Sequence, residues 1–493
     1  MSSSGGSAPA FIGIDVGTSS VKAIMGREGG ILLERYGAQY QTRRPAPGAV
    51  EQDPADWMRH VDAALARFAA HPDAGEVVAI GVTSQVNTHV FCDADFAPLH
   101  PAITWQDTRP AARAARLDAA IGAAAKVAAL GAPIPIDASH ALARMAWMAE
   151  AHPEIWAATR HVFLPKDYVI ARLSGQAVAD PISAVGLVGT DLRYAPAILE
   201  LFARAGDVLP TLRDPLDLAG QIRPGQPFAG VPLATGTMDA WAGMFGLGVA
   251  DEGAAMYLSG TSDVLGLISA DRTGADGIIT FPPWRGITLH AGPTQSGGAS
   301  LAWAARLLGR DVDELGALAA KAPITRESPL FLPHLEGERA PLWDARSRGA
   351  FAGMSSANGA EDFAAAVMEG VAFSARLALE AIERSGNRTV SVLRHGGGGA
   401  ASDTWCQIRA DALGRRLDRV SVADVGAMGA LVIAATAAGT VADLAVATEG
   451  LVSVDRAFEP DPARAALADT RFEAFKELYQ ALGPVNDVLH PPN

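Results

Sequence analysis

Residues 11–25 read FIGIDVGTSSVKAIM. Two short apolar, β-branched runs flank Gly-Thr-Ser-Ser, which carries turn chemistry, so the stretch predicts two adjacent strands joined by a tight turn. Asp15 is the anomaly. An ionised carboxylate is disfavoured in a strand and costly to bury without a partner. A second stretch has the same form, AAMYLSGTSDVLGLIS at 254–269. The triplets Gly17-Thr18-Ser19 and Gly260-Thr261-Ser262 lie half a chain apart, and with matching apolar runs on both sides they predict a duplicated domain.

The rest of the chain is consistent with that division. At 493 residues, 49% hydrophobic and 19% charged, it is long and apolar enough for two or three domains with large cores. A formal charge of -14 and a pI near 5.3 argue against nucleic acid or an anionic membrane as partner. They leave a nucleotide open, because local amides and metal hold phosphates. Two cysteines, Cys92 and Cys406, exclude a disulfide scaffold and suit a reducing cytoplasm. MSSSGGSAPA, 1–10, lacks a basic start and a long apolar core, and reads as a floppy extension rather than a signal peptide. AMGALVIAATAAGTV, 427–441, is short for a membrane span and reads as a closely packed interior helix.

Between the two hairpins the texture is α/β. VVAIGVTS (77–84) and ITW (103–105) read as strands, and DPADWMRHVDAALARFAA (53–70) as a helix capped by an aspartate with an early proline. A long helix follows residue 360, and TVSVLRHGGGG (389–399) reads as a strand entering a glycine loop. The boundary is expected near GLGVADEG (246–253), which gives domains at 11–248 and 249–485.

Four groups of segments carry chemistry. The GTS turns fit neither a Walker loop nor a dinucleotide fingerprint, yet their amides and hydroxyls can meet phosphate oxygens. In PLATGTMDAWAGMFGLGV (232–249), Asp239 reads either as a helix N-cap or as a general base taking a proton from an attacking hydroxyl. RHGGGGAASDTW (394–405) places glycines where a flat ligand or phosphate could approach the backbone. TSQVNTHVFCD (83–93) and ITWQDTR (103–109) set amide, aromatic and carboxylate groups at strand ends, which suits a polyhydroxylated ligand. Trp105 reads equally as core, and His89 as structural. No zinc-like spacing and no GxSxG elbow occur.

These segments, in this order, resemble the FGGY carbohydrate kinases, in particular the xylulokinase-like pentulose kinases. IGIDVGTSSVKA, EQDPADW, PAITWQDTR, LPKDYVIARLSG, TGTMDAWAGMFGLG, LSGTS, LEGERAP, MEGVAF, GGGGAASDTW and DVGAMGAL carry the likeness, from residue 11 to the 440s. It implies an α/β fold of two ribonuclease-H-like (actin-like ATPase) domains facing each other across a cleft. It implies ATP and Mg²⁺, with Asp15 holding the metal and Asp239 acting as catalytic base. Thr18, Ser19, Gly260, Thr261, Gly298, Gly399 and Asp403 match nucleotide positions. Gln85, Val86, Asn87, Trp105 and Asp107, with Asp239, are the candidates for the sugar pocket.

There are departures. Xylulose-specific members carry Gln-Met-His-Gly where this chain has Gln85-Val86-Asn87-Thr88, and Trp-Asn-Asp where it has Trp105-Gln106-Asp107. The lysine of their first signature becomes Arg144. The expected reaction is phosphorylation of a small sugar, foremost a ketopentose, by a cytoplasmic enzyme whose partners are sugar and ATP. A homodimer is the assembly considered. The alternatives are another ketose, a tetritol or an aldonate as acceptor. A nucleotide-driven chaperone of the same superfamily is the more distant one.

Overall fold

The structure is a computed structural model and describes residues 8–489. Of the extension expected at 1–10, residues 1–7 lie outside the described residues, and Ala10 already belongs to the first strand, fully buried. Contacts divide the chain into two compact units. One comprises the chain up to Gly246 with Asp424–Val452, the other Leu247–Ala423 with the chain from Ser453 onward.

In the first unit the quoted stretch folds as read: β1 is Ala10–Val16 and β2 Ser20–Arg27, with the Gly17 N–H closing the turn on the Ser20 carbonyl at 3.0 Å. β3 (Ile31–Gln39) continues the meander. After α1 (Pro54–Ala69), capped by the Asp53 carboxylate, β4 (Val77–Ser84) returns parallel to β1. Helices α2 (Ala141–Ala151) and α3 (Pro165–Ser174) precede β5 (Leu218–Gln221), β6 (Pro232–Ala234) and α4 (Asp239–Gly246). The sheet order is β5-β6-β4-β1-β2-β3, with β6, β4 and β1 parallel. ITW yields only a two-residue strand at Ala102–Ile103, because Thr104 and Trp105 turn away into the loop that carries Asp107.

The second unit repeats the pattern. β7 (Ala255–Ser259) and β8 (Asp263–Ile268) form the hairpin, joined by the second GTS turn. β9 (Ile279–Thr280) and β10 (Leu289–Pro293) extend that edge. Helices α5 (Gly298–Leu308) and α6 (Ala360–Ser385) follow, then β11 (Val392–Gly396), α7 (Asp403–Leu413), β12 (Arg416–Val420) and β13 (Val454–Phe458). The order is β9-β10-β8-β7-β11-β12-β13. With β9 set aside, the sheets match in strand direction throughout, two antiparallel strands beyond the hairpin strand, two parallel strands on its other side and an antiparallel edge, and in chain order for all but that edge: β5 precedes its neighbour β6, whereas β13 follows β12. The repeat read from two triplets is thus a repeat of topology.

The interior helix read at 427–441 is Val425–Ala437, buried along nearly its whole length. The domain expected at 249–485 includes this helix, whereas contacts group Asp424–Val452 with the first unit. The helix lies against β1, β4 and α4 of the first unit. The reason is steric: a Cβ at Gly81 would overlap the Ala430 carbonyl, and one at Gly429 the Ala242 carbonyl, so only glycine allows this approach. Among the described residues no helix is long and apolar enough to cross a membrane.

Candidate active site

Asp15 sits near the end of β1, opposite Lys22 on β2 and Thr83 on β4. Its Oδ1 is buried and has no hydrogen-bond partner. Burial, the nearby Asp239 charge and Asp424 push its carboxyl up to about 7, and Lys22 only partly offsets them. Gly426, in the first turn of the Val425–Ala437 helix, leaves room for the Asp15 carboxylate where a Cβ would collide with it. An unpartnered buried carboxylate oxygen beside a second acidic group fits a hydrated divalent cation, whose charge would relieve both. Among the described residues no group of three or more acidic, His or Cys side chains could hold a metal.

Asp239 opens α4, and its Oδ1 accepts the Ala240 N–H at 2.8 Å. Burial pushes its carboxyl up to about 6 in spite of that bond. The helix-start role and a base role are compatible: the amide orients the carboxylate, and desolvation raises its basicity towards neutral pH. The preceding Gly236 has φ 69°, and a side chain there would overlap the Val82 carbonyl, so the loop lies directly on β4.

The first GTS turn is braced from below. Gln52 donates to the Thr18 carbonyl at 2.7 Å, and the Tyr40 hydroxyl donates to the Gly17 carbonyl. Gln85 is buried and committed: its amide donates to Gln52 Oε1 at 2.8 Å, and its Oε1 accepts from Thr88 at 3.2 Å. Asp107 is also buried and engaged, accepting the Val50 N–H at 2.8 Å and a bidentate Arg109 contact at 2.7–3.1 Å. On sequence both are candidates for direct sugar contact. Their oxygens and amide are turned to the protein, so they shape the loops from beneath. Trp105 is 42% exposed, and its indole N–H donates to the Thr18 hydroxyl at 3.3 Å. The alternative of a core tryptophan is excluded, and an open aromatic face lies beside the first GTS turn. Val86 and Asn87 are partly exposed at the loop tip.

Arg144 explains how this loop cluster holds together. Fully buried on α2, it donates to the carbonyls of Asn87, Ile103, Thr104 and Ala138 and meets His89 Nδ1 at 2.9 Å. Five acceptors suit the planar five-donor guanidinium better than a lysine's compact ammonium. Asn87 has φ 55°, a left-handed conformation that asparagine tolerates well, so this departure has a backbone reason of its own. Its amide donates to Ser139 at 3.2 Å. His89 is buried and held neutral by desolvation and Arg144, as a structural histidine would be.

In the second unit four nucleotide candidates converge. The Gly298 and Ala299 amides, which open α5, donate to the Gly260 and Thr261 carbonyls, each at 2.9 Å. Gly399 lies against Ser259 so closely that a Cβ would overlap its hydroxyl. Buried Arg409 bridges them, donating to Ser259 Oγ at 2.6 Å and to the Gly399 carbonyl at 3.0 Å. Asp403 begins α7 and pairs with Arg419 at 2.7 Å and with Arg456. Ser19, in the first turn, is exposed. Gln52 falls inside EQDPADW, one of the segments that carry the likeness, yet its bracing role shows only through partners remote in the chain; Tyr40 and Arg409 likewise act through remote partners and stand in no recognisable spacing.

Two family models match the chain: the N-terminal domain of the FGGY family of carbohydrate kinases over residues 10–246, and the C-terminal domain over 255–438. The chain is 31% identical over 489 residues to the xylulose kinase of Escherichia coli (strain K12), covering 96% of this chain and 99% of that one. A solved xylulose kinase from Brucella ovis superposes with a TM-score of 0.84 at 29% identity, covering 97% of this chain and 100% of that one. A gluconate kinase from Lactobacillus acidophilus shares the fold at TM-score 0.86 and 24% identity, with 97% and 98% covered. With both domain models matched in order over most of its length, this chain belongs to the FGGY family of carbohydrate kinases.

Proposed function

We propose that the protein transfers the γ-phosphoryl group of ATP to a terminal hydroxyl of a ketopentose. The observation that carries this reading is Asp239, a half-buried carboxyl raised to about 6 by desolvation at the start of a helix, with Asp15 as its electrostatic neighbour. Asp239 takes the proton of the attacking hydroxyl, and Trp105 offers its face to the sugar beside Asn87 and Val86. Asp15 would hold Mg²⁺ through water. When bound, the cation supplies charge stabilisation for the transferring phosphoryl group. Thr18 and Ser19 offer donors to phosphate, and Gly260, Thr261, Gly298, Gly399 and Asp403 are the proposed nucleotide positions of the second unit. Gln85 and Asp107 enter as supports of the pocket.

Xylulose kinases among the relatives favour a ketopentose. Another ketose, a tetritol or an aldonate is favoured by one observation only, the Val86-Asn87-Thr88 departure at the loop tip. Steady-state kinetics across such acceptors separates the two. The highest kcat/KM is expected for a ketopentose, with ATP turnover dependent on added sugar. Sugar-independent ATP turnover would sink the kinase reading, and a wide preference for a tetritol or aldonate would replace the acceptor.

A pH profile tests the base. Asp239 acts only when ionised, so kcat/KM is expected to fall about tenfold per unit as pH drops below the pair's apparent pKa, near 6 to 7 for Asp239 and Asp15. A profile flat down to about pH 4.5 would remove a carboxylate of raised pKa from the rate-limiting step.

A further inference from the structure

We propose that the buried Lys166–Asp180 ion pair is a positioning device for Asp239, acting through Thr237. The inference rests on Asp239 being the general base. Lys166, the second residue of α3, is fully buried, and its ammonium meets Asp180 Oδ2 at 2.8 Å, Asp167 Oδ1 at 2.5 Å and the Thr235 carbonyl at 3.4 Å. Asp180, also fully buried, accepts the Thr237 hydroxyl at 3.0 Å and the Ser183 N–H at 2.9 Å on its other oxygen. Thr237 stands two residues before Asp239. Its carbonyl accepts the Thr83 hydroxyl at 2.6 Å, and Ser84 bridges Met238. The Lys166 N–H in turn donates to the Ser84 hydroxyl at 3.0 Å.

The loop from Thr235 to Met238 is thereby tied at two points to the end of β4 and at two to one charge cluster. Stability alone is a weak reason for a cluster of this kind. Burying three ionised groups carries a large desolvation cost for each ion, and well-packed apolar residues usually do as well or better. What the cluster adds is direction: a fixed ammonium sets the Asp180 carboxylate, which sets the Thr237 hydroxyl and so the backbone entering Asp239. A base must sit within hydrogen-bond reach of the proton it takes, so small displacements of this backbone act on turnover before they act on binding.

Thr237→Val removes the hydroxyl at nearly constant shape, and Thr237→Ser keeps it. Thr237→Val is expected to lower kcat about tenfold, with KM for sugar and for ATP within about twofold of wild type. Thr237→Ser is expected to stay within about twofold throughout. In an Asp239→Asn background the valine substitution should change the residual turnover by less than about twofold, because the group it positions is gone. An equal fall in both backgrounds, or unchanged kcat in Thr237→Val, overturns the proposal. Near-normal turnover in Asp239→Asn overturns the base reading instead. If Thr237→Val shows no cooperative melting, Asp180→Asn is taken through the same cycle with the same expectation. Failure of both to fold while Thr237→Ser behaves as wild type makes the cluster a folding element and also refutes the proposal.

Discussion

Asp239→Asn is expected to lower kcat by about 10²- to 10⁴-fold, with both KM values within a few-fold of wild type and an unchanged or higher melting temperature. The amide is isosteric and still accepts the Ala240 N–H that the carboxylate accepts at 2.8 Å, so the start of α4 is preserved. What is lost is proton affinity in the transition state. The carboxyl of Asp239 is raised to about 6 by burial, which is the range in which a base is both ionised at neutral pH and basic enough to help. Because burial disfavours its charge, removing that charge relieves the fold. Steady-state kinetics with a melting curve on the same preparation checks both halves. A folded variant with more than about a tenth of wild-type kcat would take Asp239 out of the chemistry.

Asp15→Asn is expected to abolish Mg²⁺-dependent turnover and at the same time to stabilise the ligand-free protein at about pH 8. The sign follows from linkage. The folded-state pKa of about 7 lies above the ordinary aspartate value of 3.8, so the folded protein binds this proton more tightly than the unfolded chain. The carboxyl is then harmless in acid, and stability is lost as pH rises from about 4 through about 7. A rise of that size corresponds to roughly 4 kcal/mol as an upper figure, which the asparagine avoids. The gain in melting temperature, several degrees at about pH 8, should shrink towards zero at about pH 4. Mg²⁺ with ATP should narrow the gap from the other side by stabilising wild type more than the variant. A variant that melts lower than wild type at the alkaline end, or keeps its Mg²⁺ requirement unchanged, contradicts this account of Asp15.

The two carboxylates are legible in the sequence because each interrupts a local pattern. Asp15 breaks an apolar strand, and Asp239 stands where a strand, a glycine turn and a small-residue helix meet. The roles of Gln85 and Asp107 are not legible in the same way. A glutamine and an aspartate at strand ends look alike whether they face a sugar or a neighbouring backbone. The partners that decide the matter, Gln52 for one and the Val50 amide for the other, lie 33 and 57 residues away. Asn87 shows the same limit, because the left-handed backbone that favours asparagine there is held by Arg144 from another helix.

The hairpins, their GTS turns, the capped helices and the doubling of the α/β pattern all follow from the linear chain. They depend on side-chain period and turn chemistry within a short span, and such information is complete in the local string. The packing of Asp424–Val452 with the first unit emerges only in the folded chain, as does the bracing of the loops by buried arginines and a lysine–aspartate cluster. Those outcomes depend on which backbones can approach within van der Waals distance, as at Gly81 and Gly429, and on which buried donor finds which acceptor. Close approach and hydrogen-bond satisfaction are properties of pairs of segments brought together by the fold, and a single segment does not carry them.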